Sequence, residues 1–349
     1  MRGREGARRG IILITVLFFI ALLVSGIATF LRRATLDGMI ARNRDLAARS
    51  EALARGGVQL ATALLLQDRL EEEAIAFRSD TRSDLWARVG ELKIPVDDGG
   101  RLRVRIEDTG SRLNLNALLD ADGAALDEDA EIFLISFLEK VIGEMQVSDE
   151  EKSYDPAELA RNLIDYIDTD DVEQRGDAED DYYQLQSQPY RAANRPLLSL
   201  EELGLVKGFD RALVDAIGPY ATVYPYFDPD PQDKNGIGIN PNTAASHVLA
   251  ALYHGPPGDR QLADQETVRR ILGMRDGVAM FCDETADRPG CMTLEEAEVE
   301  GIIFPLPTWY SDVFQVSAEA RYGDVRRSIE AVIDRSDPTD PRVLSWRVR

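Results

Sequence analysis

The sequence predicts an α+β protein: a long N-terminal helix joined to a small antiparallel sheet, with a large all-helical domain inserted into the sheet. Three observations predict this. An uncharged apolar run over residues 11–30 continues into helical periodicity, two distant segments alternate with period two, and helical periodicity returns between them. With 349 residues and 44% hydrophobic content, the chain is long enough for two domains with cores of their own.

The composition excludes several classes of function. Asp and Glu number 62 against 40 Lys and Arg, a formal net charge of −22, and such a surface repels the phosphates of nucleic acid. Two cysteines are too few for a disulfide-rich scaffold or a four-cysteine zinc site. His247 and His254 are the only histidines, and the sequence has no His-x-x-x-His, Gly-x-Ser-x-Gly or P-loop motif. We therefore expect no enzymatic activity.

The apolar run at residues 11–30 is long enough to cross a membrane. Twenty helical residues at 1.5 Å each cover about 30 Å, the thickness of a bilayer core. Arginines flank the run on both sides: Arg2, Arg4, Arg8 and Arg9 before it, Arg32 and Arg33 after it. The four that precede it favour a cytoplasmic N-terminus, although the following pair weakens that bias. We expect a single-pass protein whose C-terminal part lies on the other side of the membrane.

This N-terminal segment has three interpretations. It is a plain signal anchor, or it is a cleaved signal peptide, against which the length of the run and the lack of an Ala-x-Ala site both argue. In the third interpretation, a short basic leader ends at Gly10 directly before Ile11. That arrangement resembles the leader of type IV pilins and pseudopilins, which a peptidase cuts after the glycine on the cytoplasmic side.

Helical periodicity continues beyond the apolar run. No proline occurs between it and Pro95, and leucines recur at mostly helical spacing among many alanines. This predicts one transmembrane and stem helix over residues 11–70, with a weak point or kink at Gly56-Gly57. A coiled-coil stalk is the alternative, but the chain has no sustained heptad repeat.

Period-two alternation predicts strands near both ends of the remaining chain. The apolar members of the alternating runs are Leu102, Val104 and Ile106, then Phe314, Val316, Ala318 and Ala320, then Ile329, Ala331 and Ile333, with a last short strand at Leu344, Trp346 and Val348. Helices are predicted over about 126–145, from Asp155-Pro156, from Asn242-Thr243 through Leu252, and from Asp264 through Leu272. We therefore place a helical domain at 117–305, inserted into a body made of 71–116 and 306–349.

Several motifs identify a family. Besides the Gly10 leader they are DTGSRLNLN at 108–116, LIDYID at 163–168, AEDDYY at 178–183, PYRAANRP at 189–196, LEEL at 200–203 and INPNTA at 239–244. Their order and spacing resemble the minor pseudopilin K family of type II secretion systems (general secretion pathway protein K) over nearly the whole chain. LEEL and NTA alone also occur in DNA-binding helix-hairpin-helix modules, but this acidic chain would repel DNA.

The resemblance implies a pilin-like α+β fold and a non-catalytic role. The leader, residues 1–10, would be removed by the prepilin peptidase, leaving the chain in the inner membrane with its C-terminal domain in the periplasm. The mature protein would lie at the tip of the pseudopilus with minor pseudopilins I and J, on a filament of major pseudopilin built by the inner-membrane assembly platform. There it would initiate or cap filament assembly and support protein export across the outer membrane.

The fifth residue after the expected cleavage site is Thr15. In the filament neighbours of this family that position is usually Glu, whose carboxylate pairs with the N-terminal amine of the adjoining subunit. Thr15 has no charge to offer a subunit above it. It is either a tolerated hydroxyl bonded to its own backbone or an indication that no subunit follows.

An acidic segment over residues 165–181 contains nine Asp and Glu against the single base Arg175. Oxygen ligands at this density suit calcium, and the alternative is a solvated acidic loop. The spacing is not that of an EF-hand, but the family resemblance implies calcium in the helical domain. By clustering alone, the candidate ligands are Asp168, Asp170, Glu179 and Asp181.

Cys282 and Cys291 lie nine residues apart with Pro289 and Gly290 between them. In the oxidising periplasm this spacing predicts a small disulfide loop, and two buried free thiols are the alternative.

A second function remains open: a generic inner-membrane-anchored periplasmic adaptor with an acidic ligand- or calcium-binding domain. Such a protein shares the anchor but needs no processing at Gly10.

Overall fold

The computed structural model describes residues 4–119, 128–145, 154–169, 180–226, 238–256, 259–277, 280–283, 288–299, 301–304 and 306–349. The helices are α1 (Arg4–Ile75), α2 (Leu85–Arg88), α3 (Glu128–Glu144), α4 (Pro156–Ile167), α5 (Asp180–Gln184), α6 (Arg211–Ile217), α7 (Ser246–Leu249) and α8 (Gln265–Arg275). The strands are β1 (Arg101–Asp108), β2 (Leu113–Asn114), β3 (Ala221–Thr222), β4 (Tyr253–His254), β5 (Gln261–Leu262), β6 (Met280–Phe281), β7 (Cys291–Met292), β8 (Ile302–Phe304), β9 (Val313–Tyr322), β10 (Val325–Asp334) and β11 (Arg342–Val348).

The N-terminal segment forms one helix of 72 residues, α1, which extends past the predicted end near residue 70 to Ile75. It continues through Gly56-Gly57, where we expected a weak point. A Cβ on Gly57 would lie 2.9 Å from Leu102 Cδ1 and 3.0 Å from Ala318 Cβ. The glycine therefore lets α1 lie close against the sheet, and it does not interrupt the helix.

The predicted small antiparallel sheet is confirmed. It has four strands in the order β1-β9-β10-β11, and β9 and β10 form a hairpin whose turn contains Gly323. Helix α1 lies across one face, because its apolar positions recur every three or four residues. The buried side chains of this first core are Ala54, Val58, Ala61 and Leu65 of α1 with Trp86, Val89, Val104, Ile106, Phe314, Val316, Ala318, Ala320, Ile329, Ala331 and Ile333.

The segment between β1 and β9 forms a second core. Helices α3 and α4 pack on each other, and the stacked rings of Phe133 and Phe137 lie 6.1 Å apart in this core. The segment also contains short strands. β2, where the alternation at Leu113 and Leu115 indicates a strand, pairs in parallel with β3, and β4 lies between β5 and β8; we did not predict β3, β4, β5 or β8. The helix predicted through Leu252 is only the single turn α7, because the residues before Ser246 are hydrogen-bonded to other parts of the chain.

Candidate functional site: the stem helix and the joint to the insert

The insert leaves and re-enters the sheet at one end. Asp108, the last residue of β1, lies opposite Phe314 near the start of β9. Thr109 follows Asp108 and donates a hydrogen bond of 2.7 Å from its hydroxyl to the Val313 carbonyl. The two connections of the insert are therefore held side by side, at the end of the sheet opposite the β9–β10 hairpin.

Asn240 is the centre of the joint between the two cores. Its backbone N–H donates to the Gly110 carbonyl at 2.7 Å, and its Nδ2 donates to the Asp80 carbonyl at 3.0 Å and to Asp108 Oδ2 at 3.1 Å. The Thr243 hydroxyl donates to the same Asp108 oxygen at 2.5 Å. Burial raises the pKa of Asp108, and these hydrogen bonds oppose that shift by favouring the carboxylate.

The residues after Asn240 are held from both the insert and the body. Asn242 and Phe281 exchange two hydrogen bonds, at 2.9 and 2.8 Å. Arg275 donates to the Ala244 carbonyl at 2.6 Å, and Arg82 donates to the same carbonyl at 3.0 Å. Residues 239–244, singled out in the sequence as a family motif, thus connect the body to the insert through buried polar contacts.

Replacing Asn240 by alanine is expected to lower the free energy of unfolding by at least about 2 kcal/mol. The change leaves the Gly110 contact intact but removes three side-chain bonds, so buried oxygens of Asp80 and Asp108 lose a donor and the buried Asn242 N–H loses its acceptor. Thermal unfolding followed by near-ultraviolet circular dichroism, together with limited proteolysis, checks this. Asn162→Ala is the control, since it removes one bond inside the insert. Equal melting temperatures for Asn240→Ala and the wild type would contradict the role of the joint.

Arg335, directly after β10, is fully buried and holds α1 to the body. Its guanidinium donates to Asp80 at 2.8 and 2.9 Å, to Asp68 at 2.6 Å and to the Leu65 carbonyl at 3.2 Å. Burial by itself lowers the pKa of Arg335, but the charges of Asp80 and Glu72 outweigh burial and raise it. Arg335 therefore stays charged.

Asp68, Glu72 and Asp80 bring their carboxylates close enough together to share a cation, within the part of the chain that the structure describes. The guanidinium of Arg335 already supplies positive charge there, with Glu72 Oε2 at 3.7 Å. A second arginine, Arg78, pairs with Asp312 beside this cluster. We did not predict the cluster from the sequence, because Arg335, which joins its carboxylates, lies 255 residues from Asp80 and 267 residues from Asp68 along the chain.

The predicted calcium ligands are only partly described. Asp168 is the buried C-cap of α4, and Asp181 is exposed in α5, while Asp170 and Glu179 lie outside the described residues. The rings of Tyr166 and Tyr183 are 5.5 Å apart, so the two ends of the acidic segment are close in space.

Cys282 and Cys291 form a disulfide in the structure. It joins the residue after β6 to the first residue of β7. Arg288, between the two cysteines, donates to the Ile75 carbonyl at 2.8 Å and lies 4.3 Å from the centre of the Phe77 ring. This loop of the insert therefore contacts the C-terminal end of α1.

The N-terminal part of α1 contains the remaining predicted residues. Gly10 and Ile11 lie within the helix, and Thr15 is exposed on it. In the described part of the chain, α1 is the one helix that is long and apolar enough to cross a membrane. No residue of its most apolar stretch is buried. This is consistent with an inner-membrane anchor.

Comparisons with known proteins agree with this organisation. A family model described as "Type II secretion system (T2SS), protein K" matches residues 111–226. Type II secretion system protein K of Klebsiella pneumoniae is 32% identical over 289 residues, covering 80% of each chain, and that of Pseudomonas aeruginosa is 28% identical over 340 residues, covering 97% of this chain and 92% of its own.

The fold has a solved counterpart. A chain in the crystal structure of the GspK-GspI-GspJ complex from the type 2 secretion system of enterotoxigenic Escherichia coli matches with a TM-score of 0.60 at 18% identity, covering 88% of this chain and 99% of that one. At that identity the match establishes the fold, while the sequence relatives establish the family. The chain belongs to the type II secretion system protein K family.

Proposed function

We propose that this chain is the minor pseudopilin at the tip of the type II secretion pseudopilus, where it initiates or caps filament assembly and supports protein export across the outer membrane. The observation that supports this is the position of the insert. The insert joins the sheet at Asp108 and Val313, the end away from the apolar half of α1. A subunit arriving above would meet the insert, while the stem helix stays accessible from the side.

The partners follow from the same arrangement. The structural neighbour forms a complex with GspI and GspJ, which supports the I- and J-type minor pseudopilins as partners of this chain. They would pack along the stem helix, since residues 13–44 of α1 are exposed. The other proposed partners are the major pseudopilin below the tip, the prepilin peptidase and the inner-membrane assembly platform. The role is structural and needs no catalytic group.

Thr15 fits a terminal position. An unpaired charge inside an apolar helix bundle is costly, so a subunit with another subunit above it needs an acidic partner for the incoming amine. Threonine supplies none, and a tip subunit needs none.

The tip position is tested by labelling. A tag inserted at the exposed Asp215 on α6 of the insert, in the full-length chain, and detected by immunogold on sheared pseudopili is expected to mark one end of each filament. Single cysteines along residues 36–44 of α1 are expected to crosslink to the I- and J-type proteins far more than to the major pseudopilin. Gold distributed evenly along filaments would contradict the tip position.

We further propose that the acidic segment at 165–181 binds calcium. The closeness of Tyr166 and Tyr183 supports this, because a loop with closed ends can direct several carboxylates to one point. Removing calcium with a chelator is then expected to lower the melting temperature by about 5–10 °C, since an ion bound only to the folded state stabilises it. Scanning calorimetry and elemental analysis measure this.

The matched variants separate calcium binding from general effects of charge. Asp168→Asn combined with Asp181→Asn should abolish the response to chelator, and Asp215→Asn, an exposed acid on α6, should preserve it. A wild-type protein with no bound metal and no response to chelator would refute the site.

A further inference from the structure

The outward face of the main sheet, opposite α1, carries a row of arginines although the chain as a whole is strongly acidic. Arg101 of β1 lies directly opposite Arg321 of β9, and Arg321 lies directly opposite Arg326 of β10. Three arginines therefore occupy one cross-strand row. Arg103 and Arg105 continue the basic face along β1, since they alternate with the inward-facing Val104.

We call these five arginines (Arg101, Arg103, Arg105, Arg321 and Arg326) the arginine patch. The side chains of Arg105 and Arg326 are 72% and 69% exposed, and that of Arg321 is 50% exposed.

Two carboxylates lie within the patch. Glu319 is 3.6 Å from Arg326, and Asp324 is 3.5 Å from Arg321. Arg105 pairs with Glu107 at the edge of the patch. Neither Arg101 nor Arg103 has a salt bridge within the described residues.

The row opposes the stability of the sheet. Side chains directly opposite each other in an antiparallel pair have Cβ atoms about 5 Å apart, and like charges at that separation are destabilising. Nothing in the packing requires arginine at these outward positions, because the apolar core lies on the other face. We propose that the arginine patch is an electrostatic docking surface for a carboxylate-rich surface of a neighbouring protein subunit.

The position of the patch favours a protein over a lipid. Ser50 of α1 contacts both strands of the hairpin next to its turn, accepting from Tyr322 N and donating to the Val325 carbonyl, and Leu46 lies next to Gly323. Leu46 lies 46 − 30 = 16 residues beyond the end of the apolar run, a rise of about 24 Å. Headgroups extend only about 5–8 Å beyond the hydrocarbon, and salt screens charges within about 8 Å. The insert, at the opposite end of the sheet, leaves the patch uncovered.

This inference rests on the proposed function, in that the acidic subunit is an I- or J-type pseudopilin beside the stem. The patch lies on the sheet face away from α1, near the hairpin end from which the exposed residues 13–44 of α1 extend. A partner beside the stem can then contact both, with α1 providing apolar contact and the arginines selecting and orienting the partner. Charged contacts of this kind mainly set the rate and specificity of association and weaken as salt rises.

The test uses the full-length chain, co-expressed with the I- and J-type proteins and reconstituted in lipid nanodiscs. Arg101→Glu with Arg326→Glu converts the row to Glu-Arg-Glu. The two new cross-strand pairs with Arg321 oppose the loss of the Arg326–Glu319 contact, so the melting temperature should change by no more than about 2 °C. The amount of I- and J-type protein retained is nevertheless expected to fall about fivefold or more. The remaining retention should no longer depend on salt concentration. The matched control, Arg211→Glu with Arg269→Glu, makes the same charge change on the insert and should retain the partners.

Three other results would each overturn the inference. Equal partner retention by the patch variant and the wild type overturns the docking surface while leaving the proposed function intact. Failure of the wild type itself to retain either partner contradicts the proposed function, and this inference with it. A loss seen only in nanodiscs containing phosphatidylglycerol, and not in phosphatidylcholine alone, would show that the patch binds lipid and would also overturn the inference.

Discussion

Asp80→Ala is expected to lower the free energy of unfolding by about 3–5 kcal/mol, the largest loss of stability we predict for a single substitution. Asp80 and Arg335 are both fully buried and joined by two hydrogen bonds of 2.8 and 2.9 Å. Without Asp80 the guanidinium keeps its charge in a site with no access to water but loses two hydrogen bonds and its fully buried counter-charge, retaining Asp68 and the more distant Glu72. Breaking a buried ion pair has a cost of this size. Chemical denaturation of the full-length protein in detergent measures the change.

Two comparisons isolate the buried charge as the cause. Asp80→Leu combined with Arg335→Met removes both charges and should recover most of the stability lost in Asp80→Ala. Asp215→Ala breaks an exposed pair with Arg211 and should change stability little, because water screens that pair. A double variant less stable than Asp80→Ala would contradict the explanation.

Gly10→Val is expected to abolish maturation and, with it, secretion. The prepilin peptidase needs the backbone at the cleavage site to approach closely, and only glycine has no Cβ in the way. Cleavage after Gly10 in the wild type is expected to leave 349 − 10 = 339 residues. Because the leader contains four Arg and one Glu, the formal net charge changes from −22 to −25. Intact mass of the membrane-extracted protein distinguishes the two forms.

Gly6→Val is the matched control, since it makes the same substitution elsewhere in the same leader. It should mature normally and support secretion. If Gly10→Val also matured normally, or if the wild type kept residues 1–10, the plain membrane-anchored adaptor would become the better description of this chain.

Local patterns of the sequence determined much of this protein. The apolar run and the proline-free periodicity predicted α1, and alternation predicted the strands at 101–108 and 313–334, because burial of one face is visible in residues two or four apart. The motifs, in their order and spacing, identified the family.

The tertiary structure decided which distant residues meet. Arg335 gives no local indication that it is buried, and only the folded chain brings it to Asp80 and Asp68. The role of Asn240 at the joint, and the alignment of Arg101 with Arg321 in one row, depend in the same way on strand register. Periodicity in the sequence indicates which face of a helix or strand is apolar. Which residues form ion pairs and buried hydrogen bonds depends instead on how distant segments pack together, and residues adjacent in the sequence do not determine that.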